Sequence, residues 1–87
     1  MDKKDKQDLI KFLNTGNKFD TVRIVHHPQY GKRFLLIFEM NREYRVLAYK
    51  QLRNDREALP RSFSSIDVAI KFIREVGFKG DVLYNVE

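Results

Sequence analysis

Apolar residues recur at the helical period between residues 64 and 76. The positions that make this stripe are Ile66, Ala69, Ile70 and Ile73, with Phe72 and Val76 at its margins. Such spacing places apolar side chains on one side of a helix. The pattern predicts a helix over residues 64–76 that packs against the rest of the protein.

Both ends of this predicted helix carry recognisable signals. Ser64 and Asp67 have the spacing of a capping box, in which each side chain accepts a hydrogen bond from the other residue's backbone N–H. Phe63 and Val68 have the spacing of a hydrophobic staple. Gly77 suits the left-handed conformation that ends a helix, which predicts a Schellman motif with the next residue folded back onto the helix.

A shorter helix is predicted over residues 5–13. Asp5 and Asp8 again have capping-box spacing, and Gly16 is a suitable stop. Its apolar face consists of Leu9, Ile10 and Leu13. The lysines around it favour a solvated face over a binding site; they are Lys3, Lys4, Lys6 and Lys11.

Three strand-like runs, at residues 19–27, 33–39 and 43–51, lie between the helices. Their β-branched and aromatic content and the short connections predict an antiparallel meander. Asn41 suits a left-handed turn, and Gly31 a turn with positive φ. Residues 59–63 add a short edge strand, and residues 82–86 read as a final strand. We therefore predict one α+β domain, residues 1–87, of order α-β-β-β-α-β, with an antiparallel meander sheet backed by helices.

Alternation along the strands predicts two different sheet faces. The face under the main helix would carry Val22, Ile24, Tyr44, Val46 and Ala48. The opposite face would carry Arg23, Val25, His27, Arg45, Leu47 and Tyr49. The middle strand adds either Leu35 and Ile37 or the set Phe34, Leu36 and Phe38. This opposite face is too apolar to be idle solvent surface.

Composition narrows the classes of function. The chain has no cysteine, which excludes disulfides and cysteine-based zinc sites. The first eight residues include three aspartates, which is not typical of a leader, and no stretch approaches the ~20 apolar residues of a membrane span. These features predict a cytoplasmic protein without a membrane partner. The net charge is +5, yet residues 64–87 carry a net −1. The basic excess therefore lies outside the main helix, and it favours an anionic partner such as nucleic acid or an acidic protein.

Arginines, with a tyrosine and a lysine, make the best candidate for anion or nucleic-acid binding. The candidates are Arg23, Arg45, Tyr49, Lys50, Arg53, Arg56 and Arg61. Guanidinium groups bind phosphate bidentately, and tyrosine rings stack on unpaired bases. The alternative is that Arg53 and Arg56 pair with neighbouring carboxylates as ordinary loop charges, and that Arg23 and Arg45 keep the sheet soluble.

The apolar sheet face is also a candidate interface, through Leu35, Ile37 and Leu47. Two structural interpretations of this face are open: the first helix covers it, or two copies pack sheet to sheet as a symmetric homodimer. Dimerisation is favoured over a ligand pocket, because no glycine-rich loop or convergent polar cluster marks a cavity.

Metal, cofactor and catalytic sites are not indicated by the sequence. His26 and His27 are adjacent strand residues, so their side chains point to opposite faces. The serines at residues 62–65 lack a glycine elbow, and the aspartates form no legible acid–base pair. We expect no cofactor and no enzymatic activity.

Residues 60–77 resemble short plasmid- and mobile-element-encoded proteins, some of them labelled partition-associated. The resemblance rests on Pro60, Arg61, Phe63, Ser65, Ile66, Asp67, Ala69, Phe72, Ile73, Arg74 and Gly77. It implies an accessory role in the maintenance of such an element.

The predicted order of elements is also similar to that of the double-stranded-RNA-binding domain. That family grips phosphates with lysines at the start of its second helix, where this chain has Ser64, Ser65, Ile66 and Asp67. Its binding residues are therefore not carried over. The sequence predicts a non-enzymatic binding module that contacts nucleic acid or a nucleic-acid-bound complex. The alternative is a protein–protein module, as a homodimer or docked on an acidic partner.

Overall fold

Two helices and six strands make up the computed structural model, which describes residues 2–41, 43–51 and 58–84. In chain order the elements are β1 Asp2–Lys4, α1 Lys6–Asn14, β2 Thr21–His26, β3 Phe34–Met40, β4 Tyr44–Gln51, β5 Ala58–Pro60, α2 Ile66–Glu75 and β6 Asp81–Tyr84. The protein is a small α+β domain, as the sequence indicates.

The sheet is mixed, with strand order β1-β4-β3-β2-β6 and with β5 paired to β4. Neighbours among β2, β3 and β4 are antiparallel, whereas β1 runs parallel to β4 and β6 parallel to β2. The predicted order α-β-β-β-α-β and a sheet that is antiparallel throughout are therefore wrong, although the three central strands pair antiparallel as predicted. The physical reason at one edge is that α1 carries the chain across the sheet from β1 to β2, and a helical crossover returns a strand in the same direction.

The start of α2 differs from the prediction by one residue. Ser65, not Ser64, is the N-cap, and its hydroxyl accepts from the Val68 N–H at 3.3 Å. Phe63 exchanges both backbone hydrogen bonds with Phe34 at 2.9 Å, so the chain is still part of the sheet at this point. The predicted hydrophobic staple between Phe63 and Val68 is also wrong. Phe63 is buried, whereas Val68 is 49% exposed.

The end of α2 confirms the predicted Schellman motif. Gly77 has φ +104° and donates its N–H to the Arg74 carbonyl at 3.1 Å, while the Phe78 N–H reaches the Ile73 carbonyl at 3.3 Å. The Arg74 guanidinium then donates to the carbonyls of Phe78 and Gly80. The two backbone bonds satisfy carbonyls that the end of the helix leaves open, and the arginine bonds hold the turn that follows.

Both helices cover the same face of the sheet. α1 lies against β1 and β4, and α2 lies against β2 and β3. The side chains buried beneath them include Val22, Ile24, Leu36, Phe38, Val46 and Ala48, together with Leu9, Ala69, Phe72 and Ile73 from the helices. This confirms the sidedness predicted for β2 and β4. The pairing of Ile24 with Leu36 settles which residues of β3 join this face.

The sheet divides where β3 and β4 separate. β3 and β4 pair from Ile37 and Leu47 towards the turn that joins them. At the other end of the sheet they separate, and the segment that leads to α2 lies there. Its Phe63 pairs with Phe34 in β3, and its Arg61 N–H donates to the Ala48 carbonyl in β4 at 3.0 Å. The predicted edge strand at residues 59–63 is thus a three-residue strand, β5, followed by a single bridge.

No helix in the described part of the chain has both the length and the apolar content to cross a membrane.

Candidate functional site

The sheet face opposite the helices is the candidate functional surface, and we call it the open face. Strand pairing assigns to it Thr21, Arg23 and Val25 of β2, Leu35, Ile37 and Glu39 of β3, Arg45, Leu47 and Tyr49 of β4, and Asp81 and Leu83 of β6. Lys3 of β1 pairs with Leu47 and therefore joins the same face. Among the described residues, neither helix lies over it, so the alternative that the first helix covers this face is wrong.

Aliphatic side chains form the centre of the open face. Val25, Ile37 and Leu47 are partly exposed, and Leu83 is exposed. Leu35 is buried, yet neither it nor its neighbours on this face belong to the core under the helices. The sheet therefore carries a second apolar surface on its other side. The alternative that the sequence left open for β3 is settled in favour of Leu35 and Ile37.

This apolar surface continues into a cleft at the divided end of the sheet. The cleft has a volume of about 570 Å³ and lies between the β2–β3 turn and β5. Tyr30, Leu35, Leu59 and Pro60 line it, and both Tyr30 and Leu59 are exposed. Arg33 bridges its two walls, because its Nε donates to the Ser62 hydroxyl at 2.7 Å. A fixed cleft of this kind can receive one apolar side chain.

A buried carboxylate lies at the other end of the open face. Glu39 is only 7% exposed; its Oε1 accepts a hydrogen bond from the Arg23 Nε at 3.0 Å, and its Oε2 forms an ion pair with the Arg45 Nε at 3.2 Å. Thr21 reaches the same carboxylate at 3.5 Å. Register explains the cluster, because Glu39 is the direct neighbour of Thr21 on one side and of Arg45 on the other. The two arginines therefore hold a carboxylate in the free protein.

Sequence reasoning missed Glu39. The signal was partial: Glu39 alternates with Leu35 and Ile37 along β3, and these residues form one of the two sets that the sequence left open for the face with Arg23 and Arg45. A carboxylate between two arginines on one face is an expected ion pair.

The remaining candidate residues do not converge on this cluster. Tyr49 lies on the open face opposite Pro60, whereas Lys50 is exposed and belongs to the alternate side of β4. Arg61 lies on the helix side, where its guanidinium stacks over the Phe72 ring at 5.0 Å. Arg53 and Arg56 fall outside the described residues. Of the seven predicted anion-binding residues, the structure brings together Arg23 and Arg45.

The two histidines organise the β2–β3 turn. His27, predicted on the open face, instead follows the end of β2, and its Nδ1 accepts from the backbone N–H groups of Gln29 and Tyr30 at 3.0 and 3.2 Å. The His26 ring nitrogen lies 3.1 Å from the Gly31 carbonyl oxygen. No group of three potential metal ligands occurs within the described ranges. The chemistry available on the open face is therefore apolar contact and ion pairing.

Comparisons of the chain with protein-family models, with curated proteins and with solved structures found no match. The resemblances to mobile-element proteins and to the double-stranded-RNA-binding domain therefore stay predictions.

Proposed function

We propose that this chain is a binding module whose open face docks on a partner protein, at an apolar surface flanked by carboxylates. The observation that carries the proposal is the placement of both helices on one face of the sheet. Within the part of the chain that the structure describes, that placement leaves the aliphatic side chains of β2, β3 and β4 without helical cover. Apolar surface of this kind, edged by polar groups, is typical of protein interaction sites.

The rim of the open face favours acidic groups on the partner. The Arg45 side chain is 55% exposed although its Nε is held by Glu39, and Lys3 is exposed on the neighbouring strand. Both cations lie next to Leu47 in the sheet. A carboxylate on the partner would pair with them while the apolar centre is buried, and such complementarity fixes the register of a complex.

Two features of the open face favour protein over nucleic acid as the partner. Unpaired bases bind by stacking on aromatic rings, and among the described strand residues of this face Tyr49 is the one aromatic side chain. Glu39 also places a negative charge between Arg23 and Arg45, where a phosphate would have to bind. A carboxylate on a partner can instead approach Arg45 from its exposed side.

A labelled peptide in which leucine and glutamate alternate would test the proposal. It offers apolar side chains and carboxylates together, and its binding can be followed by fluorescence anisotropy. Ile37→Asp or Leu47→Asp should weaken binding at least about tenfold, because each places a charge in the apolar centre. Val68→Asp is the matched control, since Val68 is an equally apolar, exposed residue on α2. Equal binding by all three variants would exclude the open face as the docking surface.

Contact with nucleic acid is the second candidate function, and one observation favours it. Arg23 and Arg45 lie on the same face of a chain with net charge +5. Single-stranded and duplex oligonucleotides, titrated at about 50 and 200 mM salt, would report phosphate contacts as a loss of affinity at the higher salt. Salt-sensitive binding that Arg45→Glu abolishes, and that Ile37→Asp leaves unchanged, would replace the first proposal by this one.

A further inference from the structure

The edges of the sheet differ in how they are protected from pairing with other strands. A strand edge presents unpaired backbone N–H and C=O groups, and natural proteins protect such edges with charges or proline. β1 consists of Asp2, Lys3 and Lys4, so a charged side chain stands at every position of that edge. β5 ends at Pro60, which has no N–H to donate.

β6 has no comparable protection. It runs from Asp81 to Tyr84, and only its first residue is charged. Leu83 is 39% exposed on the open face, and Tyr84 is 38% exposed on the helix side. Within the described residues, β6 pairs with β2 alone, so its outer edge is unpaired. Water satisfies such a row of backbone donors and acceptors in the free protein, and another extended strand can replace that water with a ladder of hydrogen bonds.

We propose that β6 pairs antiparallel with β6 of a second copy of this chain, so that two sheets join into one across a two-fold axis. Such an interface is self-complementary, as closed two-fold symmetry requires. It is separate from the open-face docking proposed above and does not depend on it.

The register follows from the two-sided pattern of β6. With Leu83 opposite Leu83 of the second copy, Val82 lies opposite Tyr84, and every pair is apolar. Opposed residues of antiparallel strands share a face, so the helices of both copies lie on the same side. The two open faces then become one continuous surface. The two Asp81 carboxylates are displaced by four residues, or roughly 13 Å along the strand, so they do not oppose each other.

Charge favours self-association through the β6 edge over self-association through the β1 edge. The whole chain carries +5, which opposes self-association, but residues 64–87 carry a net −1. Pairing through β6 therefore joins the least basic parts of the two chains. The β1 edge would instead bring together Lys3 and Lys4 of both copies.

The mass of the full chain in solution tests the proposal directly. Sedimentation equilibrium from about 10 to 500 µM should show a species of twice the 10.4 kDa chain mass. Leu83→Lys should weaken this association at least about tenfold, because a charge enters the centre of the paired edge. Val68→Lys, at an exposed apolar position on α2, should leave it unchanged. Circular dichroism of each variant checks that the fold is retained.

Cysteine cross-linking tests the register, because the natural chain has no cysteine. On mild oxidation, Leu83→Cys should form a covalent dimer, whereas Val68→Cys should remain single. A single-chain mass at every concentration, with no faster cross-linking of Leu83→Cys than of Val68→Cys, would overturn the proposal. A dimer that Ile37→Asp dissociates and Leu83→Lys leaves intact would also overturn it, since the copies would then meet through the open face. Neither result depends on whether the leucine–glutamate peptide binds.

Discussion

The two faces of β3 differ in what their side chains contribute. Leu36 and Phe38 are fully buried under the helices, while the alternating Ile37 and Glu39 lie on the open face. Neighbouring residues of one strand therefore belong to two different surfaces, the helix-covered core and the open face. The helix-covered face supplies the core that makes folding favourable. The open face keeps apolar side chains partly exposed, a feature that is typical of interaction surfaces.

The largest expected contrast between the faces is in the cost of truncating a leucine. Leu36→Ala removes a fully buried side chain and should lower the free energy of unfolding by about 2–5 kcal/mol, because a cavity remains. Leu47→Ala, on the open face, should cost roughly 1 kcal/mol, since that side chain already contacts water. Urea denaturation monitored by circular dichroism measures both. Equal losses would show that the open face is covered in the free protein.

Removing the two arginines of the ion cluster should cost more stability than removing the charge of Glu39. Arg23→Ala with Arg45→Ala leaves the buried Glu39 carboxylate without these two donors and should cost about 2 kcal/mol or more. Glu39→Gln should cost about 1 kcal/mol, because the arginines are partly exposed and water can solvate them. Chemical denaturation of the three proteins gives the ranking. A larger cost for Glu39→Gln would mean that the arginines, not the carboxylate, are the groups that depend on the cluster.

Two glycines provide a matched pair at opposite ends of the molecule. A Cβ at Gly80 would lie 2.7 Å from the Phe78 ring, which is buried in the helix-side core, so Gly80→Ala should cost about 1–3 kcal/mol. A Cβ at Gly31, in the β2–β3 turn, meets no atom within 4 Å, so Gly31→Ala should change stability by less than about 1 kcal/mol. Thermal unfolding of both variants measures the difference. A neutral Gly80→Ala would show that the Phe78 ring moves aside freely.

The smallest expected effect concerns the phenol of Tyr44 at the β1 edge. A hydrogen bond to the Asp2 carboxylate raises the pKa of Tyr44 above its ordinary value of 10.0, and desolvation and charge repulsion from Asp2 add to the rise. The folded state therefore favours the neutral phenol. The stability that this phenol contributes is complete below pH 10 and is lost as the pH rises through the raised pKa of Tyr44. Absorbance titration should show a lower pKa for Tyr44 in Asp2→Asn. An unchanged Tyr44 titration in that variant would contradict the assignment.

Short-range sequence patterns correctly predicted the parts of the fold that depend on residues close together in the chain. The alternation of Val22, Ile24, Val46 and Ala48 gave the correct face, because period-two patterning reflects burial directly. Gly77 gave the correct helix end, because few other residues adopt its φ. Asn41, predicted as a left-handed turn residue, has φ +54°. The positive φ predicted for Gly31 is wrong, because that glycine does not adopt one.

Elements that depend on distant partners were not predictable in the same way. Asp2, Lys3 and Lys4 have no strand pattern, and they form β1 because β4 offers them an edge. The position of Arg61 likewise depends on Phe72, a ring on another element. Within the site, Arg23 and Arg45 were correctly placed on one face. Their ion pairs with Glu39 follow only once the register of three strands is known.

The parallel pairing of β1 with β4 has a consequence for the order in which the protein folds. Asp2 pairs with Val46, so the contact closes a loop of about half the chain and cannot form before β4 is in place. Contacts between distant residues form slowly, and a three-residue strand gives little energy in return. We expect the amides of β1 to exchange with solvent before those of the central strands, through local opening. Folding of this chain then finishes at the strand that comes first in the sequence.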